Sequence, residues 1–210
     1  MKTVYFVRHG ESEGNAGTIR LGYEGGLTER GKKQAEALGD RCARLPLDAI
    51  VSSTVQRARE TTEFIYSKIP TPPLEYSELF VERRSPSGIL GLVKGTPEEL
   101  HIVESIWTHF GEPGWRFSDE ENFDDLNERA RKALDYLRNH PNQQILVSTH
   151  GVFIRILLAR AVFGEQLDGH LCNAIMKTFR TENSGINVLK WRDDRNRWEV
   201  LIWNDHDHLG

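Results

Sequence analysis

The sequence predicts an α/β fold, a three-layer α/β/α sandwich with a mostly parallel central sheet. Residues 3–7 are β-branched, aromatic and aliphatic without polar alternation, which is typical of a strand buried on both faces. Two more short apolar runs, at 48–52 and 144–148, are each followed by a helical pattern. Because crossovers between strands of one sheet are right-handed, these three strands are expected to be parallel, with helices covering the sheet.

The first two helices are predicted from apolar residues spaced three and four apart. One begins after Thr28, a suitable N-cap, and ends before Pro46, whose ring cannot continue a helix. The next begins at a capping box between Ser53 and Gln56. Residues 74–81 are then expected to form a third strand or an extended segment.

The rest of the chain carries further helix and strand signals. Pro97 after Thr96 indicates a helix start, and residues 118–121 fit a second capping box, at the start of a helix that ends near Pro141. Residues 152–163 are nearly all apolar, which predicts a mostly buried helix. Three further strands are predicted, the last two as a hairpin: 174–179, 185–191 and 198–203.

A single domain over residues 1–210 is the expected organisation for this length. Residues 83–117 interrupt the strand–helix alternation and are interpreted as an insertion or lid over a functional site. The net charge of −4 argues against general nucleic-acid binding, and no apolar run approaches the ~18 residues of a membrane span. Cys42 and Cys172 are far apart in the sequence, which favours free thiols in a reducing, cytoplasmic compartment.

Polar residues follow the three predicted parallel strands at the point where each strand ends. Arg8 and His9 follow the first strand. Arg57 lies one helical turn beyond the second, and His150 follows the third. Because parallel strands place their carboxyl ends at one edge of the sheet, where ligands bind in open α/β folds, these side chains are expected to converge there.

Two arginines and two histidines make a poor metal site, because guanidinium groups repel cations and no cluster of carboxylates or thiolates accompanies them. They suit a phosphoryl group. Guanidinium binds phosphate oxygens in bidentate fashion, and a neutral imidazole with a fixed tautomer is a nucleophile. A lone histidine is more often a structural residue, and a lone arginine a solvated charge. Two His-Gly pairs at matching strand ends favour the phosphoryl site.

Four short motifs stand in order along the chain: Arg8-His9-Gly10-Glu11-Ser12 with Asn15, Leu27-Thr28-Glu29-Arg30-Gly31, Ser52-Ser53 through Arg57-Ala58, and Ser148-Thr149-His150-Gly151. Together they resemble the motifs of the histidine phosphatase superfamily (branch 1), the phosphoglycerate-mutase-like proteins. The resemblance extends over nearly the full chain. It implies the fold of that family and phosphoryl transfer with no metal and no cofactor.

The resemblance also implies a role for each matching residue. His9 attacks phosphorus and becomes a phosphohistidine. Arg8, Arg57 and His150 surround the phosphoryl oxygens. Asn15 contributes a further polar contact.

The general acid is the remaining role, and the resemblance assigns it to Glu82, which protonates the leaving alkoxide and then activates water. Three other carboxylates lie near it in the sequence and stay open as alternatives: Glu75, Glu78 and Glu98. Arg83 and Arg84 follow Glu82 directly. They either recognise a second anionic group on the substrate or are solvated surface charges.

A phosphatase is favoured over a mutase. The mutases of this family carry a tyrosine and a glycine soon after the acid glutamate, whereas residues 83–88 contain no tyrosine and residues 88–94 match the mutase stretch only at a shifted spacing. The predicted function is a metal-independent phosphomonoesterase, a histidine acid-type phosphatase that acts through phosphohistidine on a small phosphorylated metabolite. The alternatives are cofactor-dependent phosphoglycerate mutase-type transfer and a non-catalytic phosphate-binding module, and a homodimer is left open.

Overall fold

Six strands form one mixed sheet in this computed structural model, which describes residues 1–210. The strands are β1 (Lys2–Arg8), β2 (Ala49–Ser52), β3 (Leu74–Tyr76), β4 (Gln144–Thr149), β5 (Ile186–Arg192) and β6 (Arg197–Asp205). Their order across the sheet is β3-β2-β4-β1-β5-β6. The first four run parallel, whereas β5 and β6 are antiparallel to their neighbours, so the prediction of a mostly parallel sheet is confirmed.

Helices cover both faces of the sheet, which confirms the three-layer sandwich. The chain has seven α-helices: α1 (Glu13–Ala16), α2 (Glu29–Cys42), α3 (Gln56–Lys68), α4 (Pro97–His109), α5 (Phe123–Asn139), α6 (Gly151–Phe163) and α7 (Gly169–Thr178). α2 and α3 pack on one face of the sheet, and α5, α6 and α7 pack on the other. None of the helices combines the length and the apolar composition that a membrane span needs.

β1 lies inside the sheet and is buried on both sides. Val4 and Phe6 pack into the core that contains α5 and α6, whereas Val7 packs into the core that contains α2 and α3. Both environments are apolar, which explains why the strand shows no polar alternation.

The three strands that precede the predicted site residues end at one edge of the sheet. Arg8 lies opposite Thr149 in the register of β1 with β4, and Ser52 lies opposite Ser148 in the register of β2 with β4. The residues that follow each strand therefore meet at this edge, directly beyond the core.

The strand predicted over 174–179 is wrong, because these residues fall at the C-terminal end of α7. The side chain of Asp168 accepts a hydrogen bond from the Leu171 amide and caps the helix. Cys172 and Met176, four residues apart, are buried in the larger core. The short apolar run is thus part of one helical face, and its burial in the tertiary structure overrides its strand propensity.

The first predicted capping box does not form, and the second is displaced. α3 begins only at Gln56, and the side chain of Ser53 faces the sheet edge because Ser53 follows β2 directly. The second box forms between Asn122 and Asp125, one turn later than residues 118–121.

Residues 74–81 form only the three-residue strand β3 and then a 3-10 turn at Glu78–Phe80. The segment 83–117 contains α4 and no strand. An antiparallel bridge between Ile19 and Val93 joins this segment to the loop that follows α1.

Candidate active site

His9 lies directly after β1 and is almost fully buried, with 3% of its surface exposed. Its Nδ1 lies 2.7 Å from the carbonyl oxygen of Gly10. Because a carbonyl oxygen only accepts hydrogen bonds, Nδ1 carries the ring proton and Nε2 keeps its lone pair. The Nε of Arg57 donates to this Nε2 at 3.2 Å, so the nucleophilic nitrogen faces a guanidinium group.

The surroundings keep His9 neutral. Burial lowers the pKa of His9 well below its usual value, and the positive charges of Arg57 and Arg8 lower this pKa further. The hydrogen bond to Gly10 opposes the shift without reversing it. Nε2 is therefore unprotonated at neutral and mildly acidic pH, which is the form that a nucleophile needs.

His150 lies directly after β4, and its ring centroid is 5.1 Å from that of His9. Its Nε2 lies 2.9 Å from the Oγ of Ser53, which itself accepts a hydrogen bond from the Val55 amide. His150 Nε2 is the only acceptor within hydrogen-bond distance of the Ser53 hydroxyl, so the hydroxyl proton is assigned to Nε2 and the ring proton of His150 to Nδ1. Nδ1 is buried without a partner. His150 is fully buried behind His9 and does not itself line the cavity, and its unpaired donor is left for an acceptor that a ligand at His9 would supply.

Replacing Ser53 by alanine is expected to lower kcat by roughly 3- to 10-fold, the equivalent of one hydrogen bond, because both tautomers of His150 then become accessible. 15N chemical shifts of the His150 ring should show the loss of a single tautomer. Ser52→Ala is the matched control, since Ser52 is equally buried and bonds the Ser53 carbonyl and Thr62. Unchanged ring shifts in Ser53→Ala would contradict the tautomer assignment.

The fold should lose stability in mild acid. Burial lowers the pKa of His150 well below its usual value, and the positive charges of Arg57 and Arg8 add to the effect. Both histidines thus take up a proton near pH 6.5 in the unfolded chain but remain neutral at that pH in the folded chain. Stability is fully present well above pH 6.5 and is lost as the pH falls below it, so the free energy of unfolding should be lower at pH 5.5 than at pH 7, by on the order of 1 kcal/mol for each histidine that stays neutral. Urea unfolding at both pH values measures this loss.

The control for the acid effect is the double variant His9→Gln/His150→Gln, which removes both titrating groups. Its free energy of unfolding should fall much less between the same two pH values. An equal fall in the two proteins would show that other groups cause the acid sensitivity.

Arg8 and Arg57 have no carboxylate partner, since none of the ion pairs of the chain includes either residue. Arg57, 7% exposed, donates to the carbonyl of Gly22, and Arg8 donates to the carbonyl of Thr181. The Nε of Arg8 is buried without a partner. Burying unpaired positive charge is costly, so the two guanidinium groups form a site for an anion.

Asn15 presents its amide nitrogen to the same site. Its Oδ1 accepts hydrogen bonds from the backbone and the hydroxyl of Ser12, at 3.2 and 3.1 Å, and from the Nδ2 of Asn183 at 3.1 Å. These donors determine which way the amide points, and the Nδ2 of Asn15 is left as a donor. Asn183 also donates to the backbone carbonyl of His9 at 3.0 Å, so it holds Asn15 and the nucleophile together.

Glu82 lines the same cavity as Arg8, His9 and Arg57. Its carboxylate accepts hydrogen bonds from the amides of Val152 at 3.1 Å and Phe153 at 3.0 Å, in the first turn of α6. The helix dipole stabilises a carboxylate at this end. None of the three alternative carboxylates lines the cavity: Glu75, Glu78 and Glu98.

The cavity has a volume of about 820 Å³, within the usual range for small-molecule sites. Arg83 and Arg84 also line it. The Arg83 guanidinium lies over the Trp107 ring, 5.6 Å from its centroid, whereas Arg84 is exposed and its Nε donates to the carbonyl of Asp119. No group of three or more His, Cys, Asp or Glu side chains is arranged to hold a metal ion.

The sequence left two supporting residues unrecognised. Ser53 was interpreted as a helix cap, although it orients His150. Asn183 lies in a polar loop before β5 that carries no motif, and its contact with His9 spans 174 residues of sequence. Only the pairing of β5 with β1 brings that loop to the site.

A sequence model described as the histidine phosphatase superfamily (branch 1) matches residues 4–206. The chain belongs to this superfamily. As a histidine phosphatase it is a phosphoric monoester hydrolase.

Two curated relatives and one solved structure show the range of histidine phosphatases that this chain resembles. It is 29% identical over 216 residues to the metal-independent phosphoserine phosphatase of Arabidopsis thaliana, covering 98% of this chain and 82% of the relative. It is 28% identical over 214 residues to phosphoglycerate mutase-like protein 4 of the same plant, covering 98% and 86%. The solved structure of Bacillus stearothermophilus YhfR is 26% identical, with a TM-score of 0.80 and full coverage of both chains.

Proposed function

We propose that this phosphatase hydrolyses a small phosphorylated metabolite without a metal ion, through a phosphohistidine formed on His9. One observation carries the proposal. The Gly10 carbonyl holds His9 in the tautomer with the proton on Nδ1 and the lone pair on Nε2, and this lone pair faces the guanidinium of Arg57. The rest of the reaction follows from the groups around this nitrogen.

In the first step, the Nε2 of His9 attacks phosphorus and the bond from phosphorus to the ester oxygen breaks. The negative charge of the bound phosphoryl group favours the protonated form of Glu82, which gives this proton to the leaving alkoxide. The guanidinium groups of Arg8 and Arg57 and the Nδ1–H of His150 stabilise the charge on the phosphoryl oxygens. Phosphoryl transfer depends mainly on positioning and charge, which these groups supply.

In the second step, Glu82 accepts a proton from water, and the water oxygen attacks phosphorus. The bond from phosphorus to Nε2 breaks, and His9 returns to its neutral form with Nδ1 still donating to Gly10. Inorganic phosphate leaves, and Glu82 is protonated again for the next cycle.

The lysine at the end of the mutase-like stretch does not reach the cavity. Lys94 ends the stretch 88–94 that resembles the mutases at shifted spacing, yet its Nζ donates to the carbonyls of Gly14 at 2.8 Å and Gly17 at 2.6 Å. It does not line the cavity. A lysine used in this way stabilises the loop after α1 and does not contact the substrate.

The proposed function is tested with p-nitrophenyl phosphate in excess EDTA. Phosphate release that persists in EDTA is expected. Adding 3-phosphoglycerate with and without a bisphosphate primer tests the mutase alternative, which requires primer-dependent formation of 2-phosphoglycerate. No release from any phosphomonoester would favour the phosphate-binding module instead.

Recognition of a second anionic group is proposed for Arg83, with Arg84 in a lesser role. Arg83 lines the cavity and belongs to no ion pair, whereas Arg84 is exposed. Arg83→Gln should raise KM for phosphoserine, which carries a carboxylate, more than for ethyl phosphate, which has no second anionic group. An equal change in KM for both esters would show that Arg83 does not recognise the second anionic group.

We also infer that the segment 83–117 acts as a cap over the site, because α4 and the turn before it contribute one side of the cavity. A cytoplasmic location is proposed as well. It is supported by Cys42 and Cys172, which are both buried and unpaired.

A further inference from the structure

The cavity has an apolar wall that phosphoryl transfer does not use. The wall is formed by one residue of the loop after α1 and five of the segment 83–117: Leu21, Ile89, Leu90, Val103, Ile106 and Trp107. Four polar residues of the proposed reaction line the same cavity: Arg8, His9, Arg57 and Glu82. A cationic region and an apolar wall thus share one space.

Two residues of this wall expose apolar surface to water. Leu90 is 46% exposed and Leu21 is 39% exposed, whereas Ile89 and Ile106 behind them are buried. Leu90 lies against Gly22, where an added Cβ would come within 3.3 Å of a Leu90 methyl carbon. Exposed apolar side chains inside a concave site are the usual sign of a subsite for an apolar group.

The wall is built by two segments that are tied to each other. The Arg20 amide donates to the Leu92 carbonyl at 2.9 Å, and the Gly91 amide donates to the Arg20 carbonyl at 3.0 Å. The side chain of Arg20 is paired with the buried carboxylate of Glu99 on α4. Leu21 and Leu90 are therefore held in place before a ligand arrives, which reduces the entropy lost on binding.

We propose that this wall binds the alcohol part of the substrate, and that the preferred substrates are phosphomonoesters whose alcohol carries a hydrocarbon chain or ring. The inference rests on the proposed function, since it assigns the leaving group of that reaction. A short polar ester such as phosphoserine leaves Leu21 and Leu90 in water. An ester with a longer apolar group covers them and gains from the removal of their surface from water.

The test compares ethyl phosphate with hexyl phosphate in EDTA. Both are phosphate esters of primary alcohols, so they differ mainly in apolar length and little in the chemistry of the leaving oxygen. Hexyl phosphate should show a kcat/KM at least about 10-fold higher, the size of discrimination that an apolar pocket achieves for small differences in length. A ratio near one would overturn the inference.

A matched pair of variants locates the effect. Leu21→Gln/Leu90→Gln should reduce the ratio of hexyl to ethyl phosphate several-fold. Leu201→Gln changes a leucine that is 52% exposed on β6, away from the cavity, and should leave the ratio unchanged. Both variants alter exposed side chains, so neither should unfold the protein. An unchanged ratio in the wall variant would assign the preference to another part of the cavity.

The same assays separate this inference from the proposed function. If no ester, including p-nitrophenyl phosphate, releases phosphate, the proposed function itself fails. If all esters are hydrolysed without regard to apolar length, the proposed function stands and the apolar subsite is wrong.

Discussion

His9→Gln is expected to lower kcat for phosphate release by at least about 10⁴-fold, because the amide that replaces the imidazole is not a nucleophile toward phosphorus. Glutamine is of similar size and uncharged, like the neutral imidazole that it replaces, so the variant should fold. Rapid quenching of the wild-type enzyme with substrate should trap an acid-labile phosphoprotein. The variant should form none.

The control for this experiment is His170→Gln, which replaces an exposed histidine on α7 that does not line the cavity. It should keep wild-type turnover and still form the phosphoprotein. Mass analysis of the trapped wild-type protein should place the phosphoryl group on the peptide that contains His9. Phosphorylation at another residue, or turnover in His9→Gln above the stated loss, would exclude His9 as the nucleophile.

Arg57→Ala should lower kcat by about 10² to 10³-fold while the protein stays folded. The substitution removes the guanidinium that contacts the His9 Nε2 and one of the two positive charges proposed to stabilise the phosphoryl oxygens. It also removes a charge that lowers the pKa of His9. The pKa of His9 should therefore rise. As the pH is lowered, the residual kcat/KM of the variant should begin to fall at a higher pH than that of the wild type.

Arg59→Ala is the matched control, because Arg59 lies two residues along the same helix with its guanidinium over the Tyr76 ring, outside the cavity. It should retain wild-type activity and pH dependence. The pH profile makes the test specific, since a general loss of structure would not shift the acid limb. If Arg57→Ala kept wild-type turnover, the proposed part of Arg57 in the site would be wrong.

The sheet and the gathering of the main site residues were predictable because their signals are local. An uninterrupted apolar run marks a buried strand, and the residue after it lies at the carboxyl edge. Arg8, His9, Arg57 and His150 could be placed at one edge from these patterns and the handedness of crossovers. Residues 174–179 were misassigned because a short apolar run fits a strand as well as a buried helix face, and only the Asp168 cap and the packing of α7 distinguish the two.

The tautomers of the two histidines, the orientation of Asn15 and the apolar wall were decided only by the tertiary structure. Ser53 meets His150 across 97 residues of sequence, and Asn183 meets His9 across 174. Hydrogen bonds between such distant residues produce no periodic pattern in the sequence. By itself the sequence determined the class of fold and the chemical groups at the sheet edge, because side-chain type and local spacing encode both. The direction of each proton depends on partners that meet only when the chain is packed.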